Sequence, residues 1–147
     1  PDFTIWLTGG NPSNRDGAQY VEALDILRDF SVTKKPQMLQ KRYCHGAVYH
    51  ENYLYAIGGN YYDDGMVLLG DCERFDVTLE RWEDLEPLPQ ECYDSSVVTL
   101  EGCLYALGGT LEYGAVDLIQ RLSLEKLRWD ILELKLPRPS GLIASFK

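Results

Sequence analysis

Three short apolar runs each end in a pair of glycines. Ile5-Trp6-Leu7-Thr8 precedes Gly9-Gly10, Leu54-Tyr55-Ala56-Ile57 precedes Gly58-Gly59, and Leu104-Tyr105-Ala106-Leu107 precedes Gly108-Gly109. Short runs of this kind, rich in aliphatic and aromatic residues and bounded by glycine, predict strands. The second and third runs follow similar stretches, His45-Gly46-Ala47-Val48-Tyr49-His50 and Ser95-Ser96-Val97-Val98-Thr99-Leu100. Only Glu51-Asn52 and Glu101-Gly102 lie between. Asn and Gly tolerate the positive φ of tight turns, so each pair of runs predicts a hairpin. Further on, Arg74 to Trp82 is paralleled by Arg121 to Trp129. A strand-like stretch and a proline turn follow each, Pro87-Leu88-Pro89 and Leu136-Pro137-Arg138-Pro139. The unit therefore reads strand a, tight turn, strand b, Gly-Gly, long loop, strand c, turn, strand d, proline turn.

The diglycines stand 49 and 50 residues apart. A repeat of this length with four short strands resembles the kelch repeat of β-propellers. The resemblance covers nearly the whole chain. It rests on Gly9, Gly10, Gly58, Gly59, Gly108 and Gly109 after strand b, Phe75 and Asp76 on strand c, and Trp82 and Trp129 on strand d. The first unit departs from it, with Leu24-Asp25 at the strand c position but Ser31 where Trp is expected. The resemblance implies an all-β chain of three four-stranded antiparallel blades. The first covers about 1–36, completed by a strand-a-like segment at 140–147; the second about 42–87; the third about 92–136. The physical logic agrees. A lone blade cannot bury both faces, and stacked blades bury face against face. Glycines after strand b permit close backbone approach, and Trp82 and Trp129 fill the wider space between blades. Rings of four to eight blades are usual. Two arrangements therefore stay open: a homodimer that completes a six-bladed ring, or a portion of a longer kelch protein.

Composition narrows the partners. The chain has 147 residues, 45% of them hydrophobic, enough for a packed core. A net charge of −9 disfavours nucleic acid and anionic membrane, which both require a positive field. No apolar run approaches the ~18 residues of a membrane span. Cys44, Cys72, Cys92 and Cys103 form no CxxC pair. They are expected to be buried free thiols in a reducing compartment such as the cytoplasm.

No catalytic constellation emerges. His45 and His50 fall at odd spacing on one expected strand, so their side chains should point to opposite faces, His45 partly buried and His50 exposed at the turn. Asp63-Asp64-Gly65 and Asp71 lack the ligand spacing of a calcium loop. Neither metal, cofactor nor enzymatic activity is expected. The resemblance instead assigns recognition to the b–c and d–a loops of one propeller face. Tyr and Arg most often dominate binding energy. The candidates there are Arg15, Tyr61, Tyr62, Asp63, Asp64 and Tyr113 on b–c loops, and Lys41 and Arg42 on a d–a loop. The family implies a protein–protein interaction scaffold within a larger intracellular or cytoskeletal complex. The alternative it implies is the substrate-recognition portion of a BTB- or F-box-containing ubiquitin-ligase adaptor. An enzyme of propeller fold is a distant third.

Overall fold

The structure, a computed structural model, describes residues 4–10 and 18–141. Every regular element among them is a strand. The first sheet holds β1 (Thr4–Thr8), β2 (Val21–Asp25) and β3 (Ser31–Lys34) in that order. The second orders β4 (Gly46–His50), β5 (Tyr53–Ile57), β8 (Cys72–Asp76) and β9 (Arg81–Leu85). The third orders β10 (Ser96–Leu100), β11 (Cys103–Leu107), β14 (Ile119–Ser123) and β15 (Arg128–Ile131). All pairings are antiparallel. The sheets, here called blades 1 to 3, stack in a row that does not close on itself. The strand expected to complete blade 1, at 140–147, falls from 142 onward outside the described residues.

Two apolar layers hold the row together, one in each gap. Between blades 1 and 2, Trp6 and Val21 meet Leu54, Ala56, Phe75 and Trp82. The Phe75 ring lies 5.9 Å from that of Trp6 and 5.3 Å from that of Trp82. Between blades 2 and 3, Tyr55, Ile57 and Cys72 meet Val97, Leu104, Ala106, Leu122 and Trp129. Each strand d Trp is also tied by its indole N–H to the preceding blade's d–a linker. Trp82 Nε1 donates to Pro36 O and Trp129 Nε1 to Glu86 O, both at 2.9 Å. Burying an indole costs little when its one donor is satisfied.

The diglycines tie each blade to the linker that leaves it. The amides of Gly10, Gly59 and Gly109 donate to the carbonyls of Arg42, Cys92 and Ser140 at 3.1, 2.9 and 2.8 Å. Each acceptor lies on the linker that leads out of the same blade. Gly58 has φ +59°, and a Cβ there would stand 2.6 Å from Cys92 O. The carbonyl is backbone and cannot swing aside. Gly58→Ala is therefore expected to destabilise the chain by about 2–4 kcal/mol, combining left-handed strain with overpacking. A urea melt reads this, and an unchanged midpoint would contradict the close approach.

The tight turns follow their sequence. Glu51-Asn52 and Glu101-Gly102 have φ of +45°, +69° and +48°, +71°, the signature of type I′ hairpins. Asp76 closes the c–d turn of blade 2, its Oδ1 accepting the amides of Thr78 and Leu79 at 2.9 Å.

Three expectations are corrected. The b–c loops of blades 2 and 3 are β-hairpins, β6 (Asn60–Tyr62) with β7 (Met66–Leu68) and β12 (Thr110–Leu111) with β13 (Gly114–Ala115). In blade 1 the c–d turn is one residue longer than in blade 2. Asp25 pairs with Ser31 as Asp76 pairs with Arg81, so Val32 takes the Trp82 register, not Ser31. Finally, the four thiols are free but not all buried. Cys72 and Cys92 are, whereas Cys44 is exposed and Cys103 half-buried.

Candidate interaction face

The two hairpins and the d–a linkers beside them lie at the same end of the strands of blades 2 and 3. Each hairpin is pinned to the segment leading into strand a of its own blade by a reciprocal pair of backbone bonds. Tyr43 and Asn60 exchange N–H···O bonds at 2.8 and 2.9 Å, and Tyr93 and Thr110 do so at 3.1 and 2.7 Å. The turn of the blade 2 hairpin is Asp63-Asp64-Gly65. Asp64 adopts φ +51°, and the Asp63 amide donates to Gly65 O at 2.8 Å. Asp tolerates this left-handed geometry better than most residues, so the two acids are turn formers here.

What the hairpins display is largely aromatic. Tyr62 is 43% exposed, and its cross-strand partner Met66 45%. Tyr113, at the tip of the blade 3 hairpin, is 92% exposed. Asp63 and Asp64 follow Tyr62 and are exposed. The Lys41 ammonium sits 4.9 Å from the centroid of the Tyr61 ring, joining linker and hairpin through a cation–π contact. The structure thus brings Lys41, Tyr61, Tyr62, Asp63 and Asp64 together on blade 2 and places Tyr113 on the neighbouring hairpin. Arg15 lies outside the described residues.

Arg42 does not belong to this surface. It is fully buried. Its guanidinium pairs with Glu73 at 2.7 Å and donates to the carbonyls of Gly58 and Asp71. Glu73 in turn accepts the amides of Leu39 at 2.7 Å and Gln40 at 3.3 Å. The pair clamps the d–a linker onto blade 2. Sequence reasoning grouped Arg42 with Lys41 because both are basic neighbours. Burial separates them, since adjacent residues on an extended segment point opposite ways. Reasoning from the loops also passed over Met66, which the hairpin register exposes opposite Tyr62, and Tyr20, 57% exposed just before β2.

Behind the surface, the His45 ring fits where Gly9 lacks a side chain; a Cβ on Gly9 would stand 2.7 Å from His45 Cε1. His45 Nε2 is 2.8 Å from Thr8 Oγ1, while Nδ1 is buried without a partner. Burial, and then the charge of Arg42, push its pKa down to about 3. His45 precedes β4 rather than lying on it, and His50 at the other end is half-buried, not exposed. Burial raises the Cys72 thiol to about 12 and the Cys92 thiol to about 11, so both are protonated at neutral pH. Among the described residues no group of three or more His, Cys, Asp or Glu converges as a metal site would require.

A surface of tyrosines on hairpins, carried by stacked four-stranded blades with diglycines at fixed positions, invites comparison with known proteins. Residues 41–89 match the family model described as the Kelch motif. That span covers the segment leading into blade 2 and all four of its strands. The chain belongs to the kelch-repeat family. Curated relatives of this kelch chain include Kelch-like protein 38 of Rattus norvegicus, 31% identical over 100 residues, 67% of this chain and 17% of the relative. Kelch-like protein 25 of Xenopus tropicalis is 28% identical over 142 residues, 92% of this chain and 24% of the relative. Kelch-like protein 35 of Mus musculus is 28% identical over 128 residues, 86% and 21%. The chain thus spans about a fifth of the length of the curated relatives it matches.

Proposed function

We propose that this kelch chain is a protein-binding module whose partner seats on the hairpin-and-linker face, with Tyr61, Tyr62, Met66 and Tyr113 as its apolar contacts. The observation that carries this is the exposure of Tyr113 and Tyr62 on hairpins that are themselves rigidly pinned by reciprocal backbone bonds. A large aromatic on a fixed support binds with little loss of conformational freedom, which favours affinity. Asp63 and Asp64 beside Tyr62 favour a partner segment with basic residues at its rim. The module acts by binding rather than catalysis, as a scaffold within a larger assembly. The relatives devote about a fifth of their length to the matched region, which supports reading it as the recognition part of a larger protein. The free thiols support a reducing, cytoplasmic setting.

Tyr62→Ala with Tyr113→Ala is expected to weaken a partner captured from lysate at least tenfold. A change of Leu79, exposed at the c–d turn, is expected to leave capture intact. Equal capture by all forms would remove this face as the site.

A further inference from the structure

The hairpins and the linker between them carry acids and no bases. Residues 60–71, 86–95 and 108–118 contain neither Lys nor Arg. Within them Asp63, Asp64, Asp71, Glu91 and Glu112 are exposed, and none of the five has an ion-pair partner among the described residues. A Cβ on Gly70 would stand 3.2 Å from Glu91 Cγ, so the linker acid lies against the root of the blade 2 hairpin, next to Asp71. Blade 2 has a blade packed on either side, so the exposure of its hairpin does not come from an end of the row. Unpaired charges of one sign gathered on one surface set up a field that draws in the opposite sign.

A second feature of the blade 2 hairpin calls for a donor. Asn60 and Tyr62 stand two apart on β6, so their side chains leave the same side of the hairpin. Asn60 is 2% exposed, and its Oδ1 has no hydrogen-bond partner among the described residues. A buried acceptor without a donor is costly. The chain itself shows how a cation uses such groups. The Arg74 guanidinium lies 4.5 Å from the Tyr53 ring centroid and at the same time pairs with Glu83 at 3.0 Å. On the hairpin, Lys41 already covers the Tyr61 ring, whereas Tyr62 stands open beside two acids.

We propose that the partner segment recognised here is held by an arginine, its guanidinium stacked on the Tyr62 ring and paired with Asp63 or Asp64, while Asp71, Glu91 and Glu112 attract further basic residues of the same segment. A guanidinium carries five N–H donors and no acceptor, which suits carboxylates that only accept and the kind of donor that Asn60 Oδ1 lacks. It also lies flat on an aromatic face, as an ammonium cannot. An acidic segment is repelled. This rests on the binding role proposed above and names the chemistry of its partner.

Fluorescence anisotropy with three labelled peptides of equal length tests the proposal, one bearing arginines, one lysines and one glutamates, each spaced by Gly-Ser. The arginine peptide is expected to bind the purified chain about threefold more tightly than the lysine peptide, and the glutamate peptide not at all. Tyr62→Ala is expected to erase the preference for arginine. Asp63→Asn with Asp64→Asn and Glu91→Gln is expected to weaken the arginine peptide about tenfold. Glu51→Gln with Glu101→Gln and Glu125→Gln, all exposed at the opposite ends of the strands, removes the same charge and is expected to leave binding intact. Equal losses from the two sets would reduce the attraction to net charge and overturn the proposal. So would an arginine peptide bound no better than its lysine counterpart. The capture assay separates this from the reading it rests on. If Tyr62→Ala with Tyr113→Ala lowers capture and the Asp63, Asp64 and Glu91 set does not, the face stands and its arginine ligand falls. If neither lowers capture, the face itself falls.

Discussion

Arg42→Ala is expected to lower the stability of the chain by about 3–5 kcal/mol, the cost of removing one partner from a buried ion pair. The substitution would leave the Glu73 carboxylate buried and lacking its countercharge, and would take the guanidinium from the carbonyls of Gly58 and Asp71. Domains of this size are stable by only about 5–15 kcal/mol, so the loss is a large share of the total. A denaturant melt reads it as a lower midpoint. The next interface gives an internal control. There the equivalent positions are Cys92 and Gln120, a neutral pair with Gln120 bridging the amide and carbonyl of Gln90. Arg42→Cys together with Glu73→Gln recreates that solution and should recover at least half of the loss. A single Arg42→Ala that melts like the unaltered chain would mean that the pair clamps nothing.

Acid should unfold the chain through His45. In the unfolded chain a His titrates near 6.5, whereas in the fold burial and Arg42 hold His45 at about 3. Between those values the unfolded state binds the extra proton. The stability contributed is thus fully present above about pH 6.5 and is lost as the pH falls toward 3. The slope is about 1.4 kcal/mol per pH unit, with a total of ~5 kcal/mol. Asp76 and Glu83 are also held below the usual carboxylate range, Asp76 chiefly by the Leu79 amide and Glu83 by Arg74, and they add to the loss at the acid end. His45→Gln removes the titrating group. Its melts between pH 6 and 4 should lose stability far less steeply, even if the variant starts from a lower value. Parallel slopes for both proteins would contradict the assignment.

The repeat was legible in the sequence because its landmarks have strict physical causes. A Gly-Gly pair with both φ positive strongly favours glycine, and a Trp with one satisfied donor on strand d marks the space between blades. The blade 1 outer strand was misread by one residue. Its turn carries an extra residue, and with Val32 in place of Trp no landmark fixed the register. The hairpins at 60–68 and 110–115 were readable in principle from Asp-Asp-Gly and Tyr-Gly between apolar residues, but the segments between turn and diglycine are too short for alternation to show. The candidate face was partly legible. Tyr61, Tyr62 and Tyr113 stand out by residue type. Arg42 could not be separated from Lys41, because its burial depends on Glu73, 31 residues away. No local pattern records that pairing.

Hydrogen exchange of the chain, free and bound to a captured partner, tests the central claim most directly. Binding at the proposed face should slow exchange in 60–68 and 110–116 and leave the c–d turns at 77–80 and 124–127 unchanged. Protection confined to those turns, on the opposite ends of the strands, would contradict it.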